Sequence, residues 1–378
     1  MPTSERSDAA VIESIGASSL AIPFKLSFKH ASAARASTQT IWVRAKGRDG
    51  RIGFGEGCPR EYVTGESLQS AQAFVAAHSA DWLDGIRDVE SLVAWTRAHE
   101  REIDANPAAW AAVELALLDL FGRSAGKPVE ALLGLPPLGG RFRYTAVLGD
   151  ASPKEFEGHL ARYRQVGFRD FKIKLAGERT PDLAKARALQ AAGIDPRWVR
   201  ADANNLWSDA DAARGDLEAL GFAFSALEEP LHAGDYAGMA RIARALDTRI
   251  VLDESMARAG QLIDLPGPAD YWLVNLRVSK MGGLLRSLDF LGEARRQGLR
   301  VIVGAHVGET SLLTRAALTV ASAAGESLVA QEGAFGTHLL EHDVVEPPLM
   351  FGAGGILDAS AAAIGAAPGW GLAIREAS

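Results

Sequence analysis

The chain has 378 residues, 48% of them hydrophobic and 23% charged, with a formal net charge of −7. This is a globular composition with ample core material, and the length allows a barrel with an appended domain. The acidic balance argues against nucleic-acid binding, which needs a basic face, but leaves room for an anionic small molecule at a locally basic mouth. Cys58 is the only cysteine, so on this reading an intramolecular disulfide is impossible and a thiolate metal site is excluded. The N-terminal MPTSERSDAA lacks an apolar signal stretch, and apolar runs elsewhere are short or broken by charge. A cytoplasmic protein without membrane spans is therefore expected, with residues 1–8 as a loose tail.

In chain order, strand-like runs come first, Ala17–Phe28 and Thr40–Ala45, followed by an Arg48-Asp49-Gly50 turn. They predict a small antiparallel sheet. From Pro107 the apolar residues Trp110, Val113, Leu117, Leu118 and Phe121 recur at helical spacing, and Gly122 and Gly126-Lys127-Pro128 end the helix. Between 141 and 340, strands alternate with amphipathic helices such as Pro153–Gln165 and Pro181–Ala192. The strands read as Arg143–Val147, Phe168–Leu175, Val199–Ala203, Ala223–Leu227, Ile250–Leu252, Tyr271–Leu276, Arg300–Val303 and Leu328–Ala330. Such alternation predicts a parallel α/β barrel; the rival doubly wound sheet would want a GxGxxG after an early strand, which is missing. Beyond 341 the chain is rich in Gly, Pro and Ala, yet Leu349, Met350, Phe351, Trp370, Leu372 and Ile374 predict that it packs back on the first region.

Chemistry begins at Phe171-Lys172-Ile173-Lys174. Alternate residues of a strand share a face, so Phe171 and Ile173 would meet the outer helices while Lys172 and Lys174 point into the barrel. Inward lysines need counter-charge. It arrives at the ends of the next three strands as Asp202, Glu228 and Asp253, spaced 26 and 25 residues apart, about one βα unit each. Three carboxylates at one height converge at the C-terminal barrel face, and hard oxygen donors favour Mg²⁺. Lys280 follows the sixth strand, across the barrel from the second, and so should face Lys174 with the metal between them.

These residues resemble the enolase superfamily, in its muconate-lactonizing-enzyme subgroup (mandelate racemase/muconate cycloisomerase-like). The resemblance covers nearly the whole chain. It rests on Lys-x-Lys at 172–174, the acids at 202, 228 and 253, and the lysine before Gly-Gly at 280. Gly53-Phe54-Gly55-Glu56-Gly57, Leu117-Leu118-Asp119-Leu120 and the late Pro-Gly-x-Gly support it. The resemblance implies a modified TIM barrel, (β/α)7β, over residues 141–340. Residues 1–140 would form an α+β capping domain to which 341–378 return. It further implies one Mg²⁺ per active site and an enediolate intermediate, with Lys174 and Lys280 as the acid/base pair and Lys172 tuning Lys174. A lysine base must be neutral to accept a proton, and such sites, with a Lys or His base beside Mg²⁺, are a known pattern of pKa tuning.

The match has departures. Arg277 stands where many relatives carry a further lysine, and His306, near the catalytic histidine of the mandelate racemases, is read as a lining residue beside Glu309. Asn204 belongs to the same rim. Substrate specificity is expected from two capping loops, 28–35 with Lys29, His30 and Arg35, and 59–65 with Arg60 and Tyr62. Gln331, Glu332 and Phe335, after the eighth strand, should line the same pocket. The expected activity is racemisation, epimerisation or cycloisomerisation of a small-molecule carboxylate such as an N-acyl amino acid or dipeptide. A hydroxy-acid dehydratase shares the first step, and a non-catalytic binding protein on this fold is the remaining alternative. A homo-oligomer is also expected.

Overall fold

Glycine at alternate positions lets a strand lie directly on a helix near the start of the chain. A computed structural model describes residues 12–30, 33–149 and 151–375. Its first strands are β1 (Ile12–Leu20), β2 (Pro23–His30), β3 (Ala33–Ser37), β4 (Thr40–Gly47) and β5 (Ile52–Gly57). β1, β4 and β5 form an antiparallel sheet in that order, and β2 pairs with β3 as a hairpin. The single run expected over Ala17–Phe28 is thus two strands, broken at Ala21-Ile22. On β5, Gly53, Gly55 and Gly57 share one face. A Cβ on each would lie 2.1, 1.9 and 2.0 Å from the carbonyl oxygens of Ala116, Ala112 and Ala108. The fit is geometric: two strand residues rise about 6.6 Å and four helix residues about 6 Å, so the glycines meet successive alanines of the helix Pro107–Ala125. That helix is buried all round from Pro107 to Gly122 rather than along one stripe, because the barrel covers its other side.

Strand β6 (Arg141–Arg143) pairs antiparallel with β15 (Ile356–Asp358). Between them run β7 (Ala146–Leu148), β8 (Phe171–Lys174), β9 (Val199–Asp202), β10 (Ala226–Glu228), β11 (Arg249–Leu252), β12 (Trp272–Leu276), β13 (Arg300–Val303) and β14 (Leu328–Gln331). These eight are parallel and ordered as in the sequence. The sheet curls until its edges meet, where Thr145 N donates to Gln331 O at 2.7 Å. The expected strand Arg143–Val147 therefore divides: its start turns aside to pair with β15. The crossover from β11 to β12 also differs, holding the 3₁₀ turn Ala259–Asp264 where an α-helix was expected. No helix among the described residues is long and apolar enough to cross a membrane.

Two buried glutamates of the N-terminal region dock on helix N-termini of the barrel. Glu56, on β5, accepts from Thr310 N (3.1 Å), Thr310 Oγ1 (2.6 Å) and Leu313 N (3.4 Å) at the start of Ser311–Ala324. Glu114 accepts from Leu285 N (3.1 Å) at the start of Leu284–Arg296. Exposed N–H groups and the helix dipole make such ends natural partners for a carboxylate. Gly283 exists for the second contact, since a Cβ there would lie 2.4 Å from Glu114 Oε1. Trp370, in the C-terminal stretch, is fully buried, its Nε1 donating to Leu115 O at 3.0 Å and its N to Asp119 Oδ1 at 2.8 Å.

Gly55→Ala drives a methyl into the Ala112 carbonyl, and overpacking of this kind costs about 1–3 kcal/mol or more; urea unfolding should show it, and an unchanged midpoint would contradict the close packing. Burial pushes the Glu114 carboxyl up to about 8, against opposing backbone N–H groups of Leu285 and Leu284. Between pH 4.5 and 8 the unfolded chain has lost this proton while the folded one keeps it, so stability falls as pH rises through that window. Urea titrations at several pH values should find a shallower fall for Glu114→Gln than for the wild type.

Candidate active site

The alternation on β8 sends Phe171 and Ile173 into the hydrophobic core and Lys172 and Lys174 into the barrel. Parallel register then sets the partners. Lys174 lies beside Asp202 on β9, and Asp202 beside Glu228 on β10. Glu228 pairs with Val251, and Asp253 follows just past the end of β11. Lys172 Nζ lies 3.1 Å from Glu228 Oε2, 3.7 Å from Asp202 Oδ2 and 2.6 Å from Glu332 Oε2. Lys174 Nζ bonds Asp202 Oδ2 (3.0 Å) and Asn204 Oδ1 (2.7 Å). Asn204 can hold that position because it adopts a left-handed backbone, φ 47°.

The other side is built from β12 and the turn after it. Asn275 Nδ2 donates to Glu228 Oε1 at 3.3 Å, an approach that leaves no room at Gly304, where a Cβ would lie 2.1 Å from Asn275 Oδ1. Arg277 bonds Asp253 and stands 3.9 Å from Glu228 Oε1. Lys280 sits in the short helix Val278–Met281, which Gly282 ends with φ 80°. Its ammonium donates to Asp253 O (2.7 Å), Asp253 Oδ1 (2.9 Å) and Asn275 O (2.8 Å) and is almost fully buried. Lys174 and Lys280 thus flank the carboxylate row, one at Asp202 and the other at Asp253, with Glu228 between.

These charges shift one another strongly. Burial works against the Lys172 ammonium, but Glu228, Glu332 and Asp202 outweigh it and hold the lysine protonated well above its usual range. Burial pushes the Glu228 carboxyl up to about 8; Lys172 opposes this, and the neighbouring acids Asp202, Glu332 and Asp253 add to it. Against burial, Lys174 and Lys172 hold Asp202 below the ordinary carboxylate range. Arg277 and Lys280 do the same for Asp253.

The three acids are drawn apart at their tips. Among the described residues, only Cys58, His306 and Glu309 offer ligand atoms all within 4.8 Å of one another. Asp202, Glu228 and Asp253, expected to converge, turn instead to cations: Lys172 lies between the first pair and Arg277 between the second. Each neighbouring pair shares a positive charge, which shows that carboxylates this close demand one. Hard oxygen donors in strand register fit a magnesium ion, and Arg277 stands where it would compete. The tighter trio is a poorer cation site despite its thiol, because the positive charges of Arg277, Arg60 and Lys280 are felt at His306. Burial, reinforced by those cations, holds His306 well below its usual range, hence neutral. Its Nδ1 lies 3.4 Å from Glu309 Oε1 without the alignment of a hydrogen bond, and neither ring nitrogen has a partner.

Several expected substrate contacts are placed differently. Arg60 is buried and bonds four backbone carbonyls, Gln39 (3.1 Å), Pro59 (2.7 Å), Thr38 (3.3 Å) and Val307 (2.9 Å). It therefore ties the segment after β5 to the turn that carries His306, with both terminal nitrogens of the guanidinium on backbone carbonyls. Tyr62 is 39% exposed on the short helix Glu61–Thr64. Phe335 is half-buried against Phe351, with ring centroids 5.3 Å apart. The stretch 28–35, expected as a loop, belongs to the β2–β3 hairpin at both ends, while the side chains of Lys29, His30 and Arg35 lie outside the described residues. Sequence reasoning missed Arg200, Asn275 and Glu229. Glu229 braces the turn after β11 by accepting from Asp253 N (2.7 Å) and Ser255 N (2.8 Å). Its signal was the polar Glu228-Glu229-Pro230 run; Arg200, alternating with Asp202 on β9, was equally visible.

Comparison with known proteins places the fold in a family. Residues 155–378 match the enolase C-terminal domain-like family, and residues 11–134 match the mandelate racemase / muconate lactonizing enzyme N-terminal domain. The chain is 28% identical over 312 residues to an L-Ala-D/L-Glu epimerase of Bacillus subtilis, covering 82% of this chain and 84% of the relative. It is 26% identical over 324 residues to a chloromuconate cycloisomerase of Cupriavidus pinatubonensis, covering 82% and 84%. A dipeptide epimerase of Enterococcus faecalis V583, crystallised with Mg and L-Leu-L-Tyr, shares the fold with a TM-score of 0.81, 24% identity, and coverage of 96% of this chain and 99% of that one. The chain belongs to the enolase superfamily, in the mandelate racemase/muconate lactonizing enzyme subgroup.

Proposed function

We propose that this chain is an isomerase that removes the α-proton of a small carboxylate substrate and returns a proton through an enediolate intermediate. Racemisation or epimerisation of an N-acyl amino acid, a dipeptide or a related acid is the reading the site supports best. The observation that carries it is the placement of Lys174 and Lys280 on opposite sides of the Asp202–Glu228–Asp253 row. Magnesium held by that row would neutralise the second negative charge a carboxylate gains when its α-proton leaves.

The chain's own groups supply the rest. Lys174, hydrogen-bonded to Asp202 and Asn204, would take a proton on one face. Lys280, anchored by Asp253 and two backbone carbonyls, is placed to give one on the other. In the reverse direction the two exchange roles. Lys172 works as a fixed cation beside the substrate carboxylate, since its acidic neighbours keep it charged. His306 and Glu309 line the rim near Arg277, and Tyr62, with Lys29, His30 and Arg35, is assigned to the substrate's distal end.

The test is a carboxylate library incubated with enzyme and Mg²⁺ in D₂O, read for deuterium at the α-carbon. With the substrate found, Lys174→Ala and Lys280→Ala should each lose turnover in both directions. Each should still wash out the α-proton of the one stereoisomer that faces the surviving lysine. EDTA should stop wash-out by the wild type and Mg²⁺ should restore it. Near-normal turnover by both lysine variants, or full activity after chelation, would contradict the mechanism.

A further inference from the structure

Glu332 was expected to touch substrate, yet both of its carboxylate oxygens are already engaged. Oε2 lies 2.6 Å from Lys172 Nζ, and Oε1 lies 3.2 Å from Arg200 Nη2. Arg200 does not end there. The same Nη2 reaches Thr145 Oγ1 at 2.8 Å and Asp170 Oδ1 at 3.2 Å, and the Thr145 hydroxyl donates to Asp170 Oδ1 at 2.6 Å. All these side chains are largely buried; Arg200 is 3% exposed and Glu332 7%. A chain of charge therefore runs up the barrel interior, from Asp170 and Thr145 before β8 and β7, through Arg200 and Glu332, to Lys172 and Glu228. It follows the seam where the barrel closes, because Thr145 N donates to the carbonyl of Gln331, the residue before Glu332.

We infer that Glu332 and Arg200 are positioning residues for Lys172, holding its ammonium at the height of the carboxylate row. This rests on the reading of Lys172 as the fixed cation of a proton-transfer site. The physical reason is that Lys172 carries a long, flexible stem and ends in a compact point charge, which by itself has no preferred direction. Glu228 alone would draw it toward the carboxylate row. Glu332, at the end of β14, is its nearest acid at 2.6 Å and so holds the ammonium from a second strand end as well as from β10. Arg200, clamped by Asp170 and Thr145, keeps Glu332 from following the lysine. Glu332 is thereby spent on two cations, and a substrate's distal cation would have to break one of those pairs to reach it. Such pairs are costly to break when buried, because the survivor is left uncompensated.

Glu332→Gln removes the charge and keeps the shape. Misplacing a group that acts on the intermediate should lower kcat, and wash-out of both stereoisomers together, by about 10–100-fold, with KM changed less than about threefold. A double-variant cycle makes the positioning role specific. Added to Lys172→Met, Glu332→Gln should cost less than about a further twofold, since a residue that acts through Lys172 has nothing left to position. A raised KM with kcat retained would show Glu332 binding substrate instead, and fully multiplicative losses in the double variant would show that it acts independently. Either result overturns the inference and leaves the lysine mechanism standing. If Lys172→Met itself keeps normal wash-out, the reading of Lys172 fails, and the inference with it. Should the glutamine variant not fold, the same cycle with Glu332→Asp reads the same coupling.

Discussion

A charge inside a barrel is tolerable only beside its opposite, and this requirement shapes the catalytic end of the molecule. Lys172, Lys174, Arg200, Arg277 and Lys280 alternate there with Asp202, Glu228, Asp253 and Glu332, so that each buried group touches at least one of the other sign. Removing one unbalances the charge left in a low-dielectric interior, which is more damaging than never having buried the group. Such a lattice is a poor way to gain stability and a good way to hold charge where a reaction needs it. The lysines gain fixed positions, and the carboxylates stay close enough to require a cation between them.

The same economy governs the join between the N-terminal region and the barrel. Glu56 and Glu114 reach across to helix N-termini that follow β13 and β12, the strands whose loops carry His306 and Lys280. Arg60 collects carbonyls from both sides, and Cys58 N donates to Ser279 Oγ at 2.7 Å, next to Lys280. Contacts that dock the cap thus also set the backbone around His306 and Lys280. The glycines of β5 belong to this logic: only a strand without side chains on one face lets the helix bearing Glu114 lie close enough.

What could be read in advance follows from periodicity. Phe171-Lys172-Ile173-Lys174 declares its two faces because a strand alternates, and Asp202, Glu228 and Asp253 declare a shared level because βα units repeat. Those arguments located the barrel strands to within a few residues. They could not assign partners among several cations and several acids, since that choice depends on side-chain rotamers and on which strands meet at closure. Arg277 could therefore not be assigned to Asp253, nor Glu332 to Lys172 and Arg200. Arg60 misled for a related reason: an arginine in a polar segment reads as exposed, whereas folding surrounds it with four carbonyls. The backbones of the three acids lie side by side at the strand ends, while their tips turn to Lys172 and Arg277.

Those ion pairs stand where a metal ion would bind. If the carboxylate row is a magnesium site, adding the ion must reorganise it. A crystal structure grown with Mg²⁺ and an unreactive substrate analogue tests this directly. One ion should then lie at about 2.0–2.1 Å from an oxygen of each of Asp202, Glu228 and Asp253, with Arg277 withdrawn from Asp253 and Lys174 and Lys280 facing opposite sides of the analogue's α-carbon. An ion bound only at Cys58, His306 and Glu309, or carboxylates still closed on Lys172 and Arg277 with no ion between them, would contradict it.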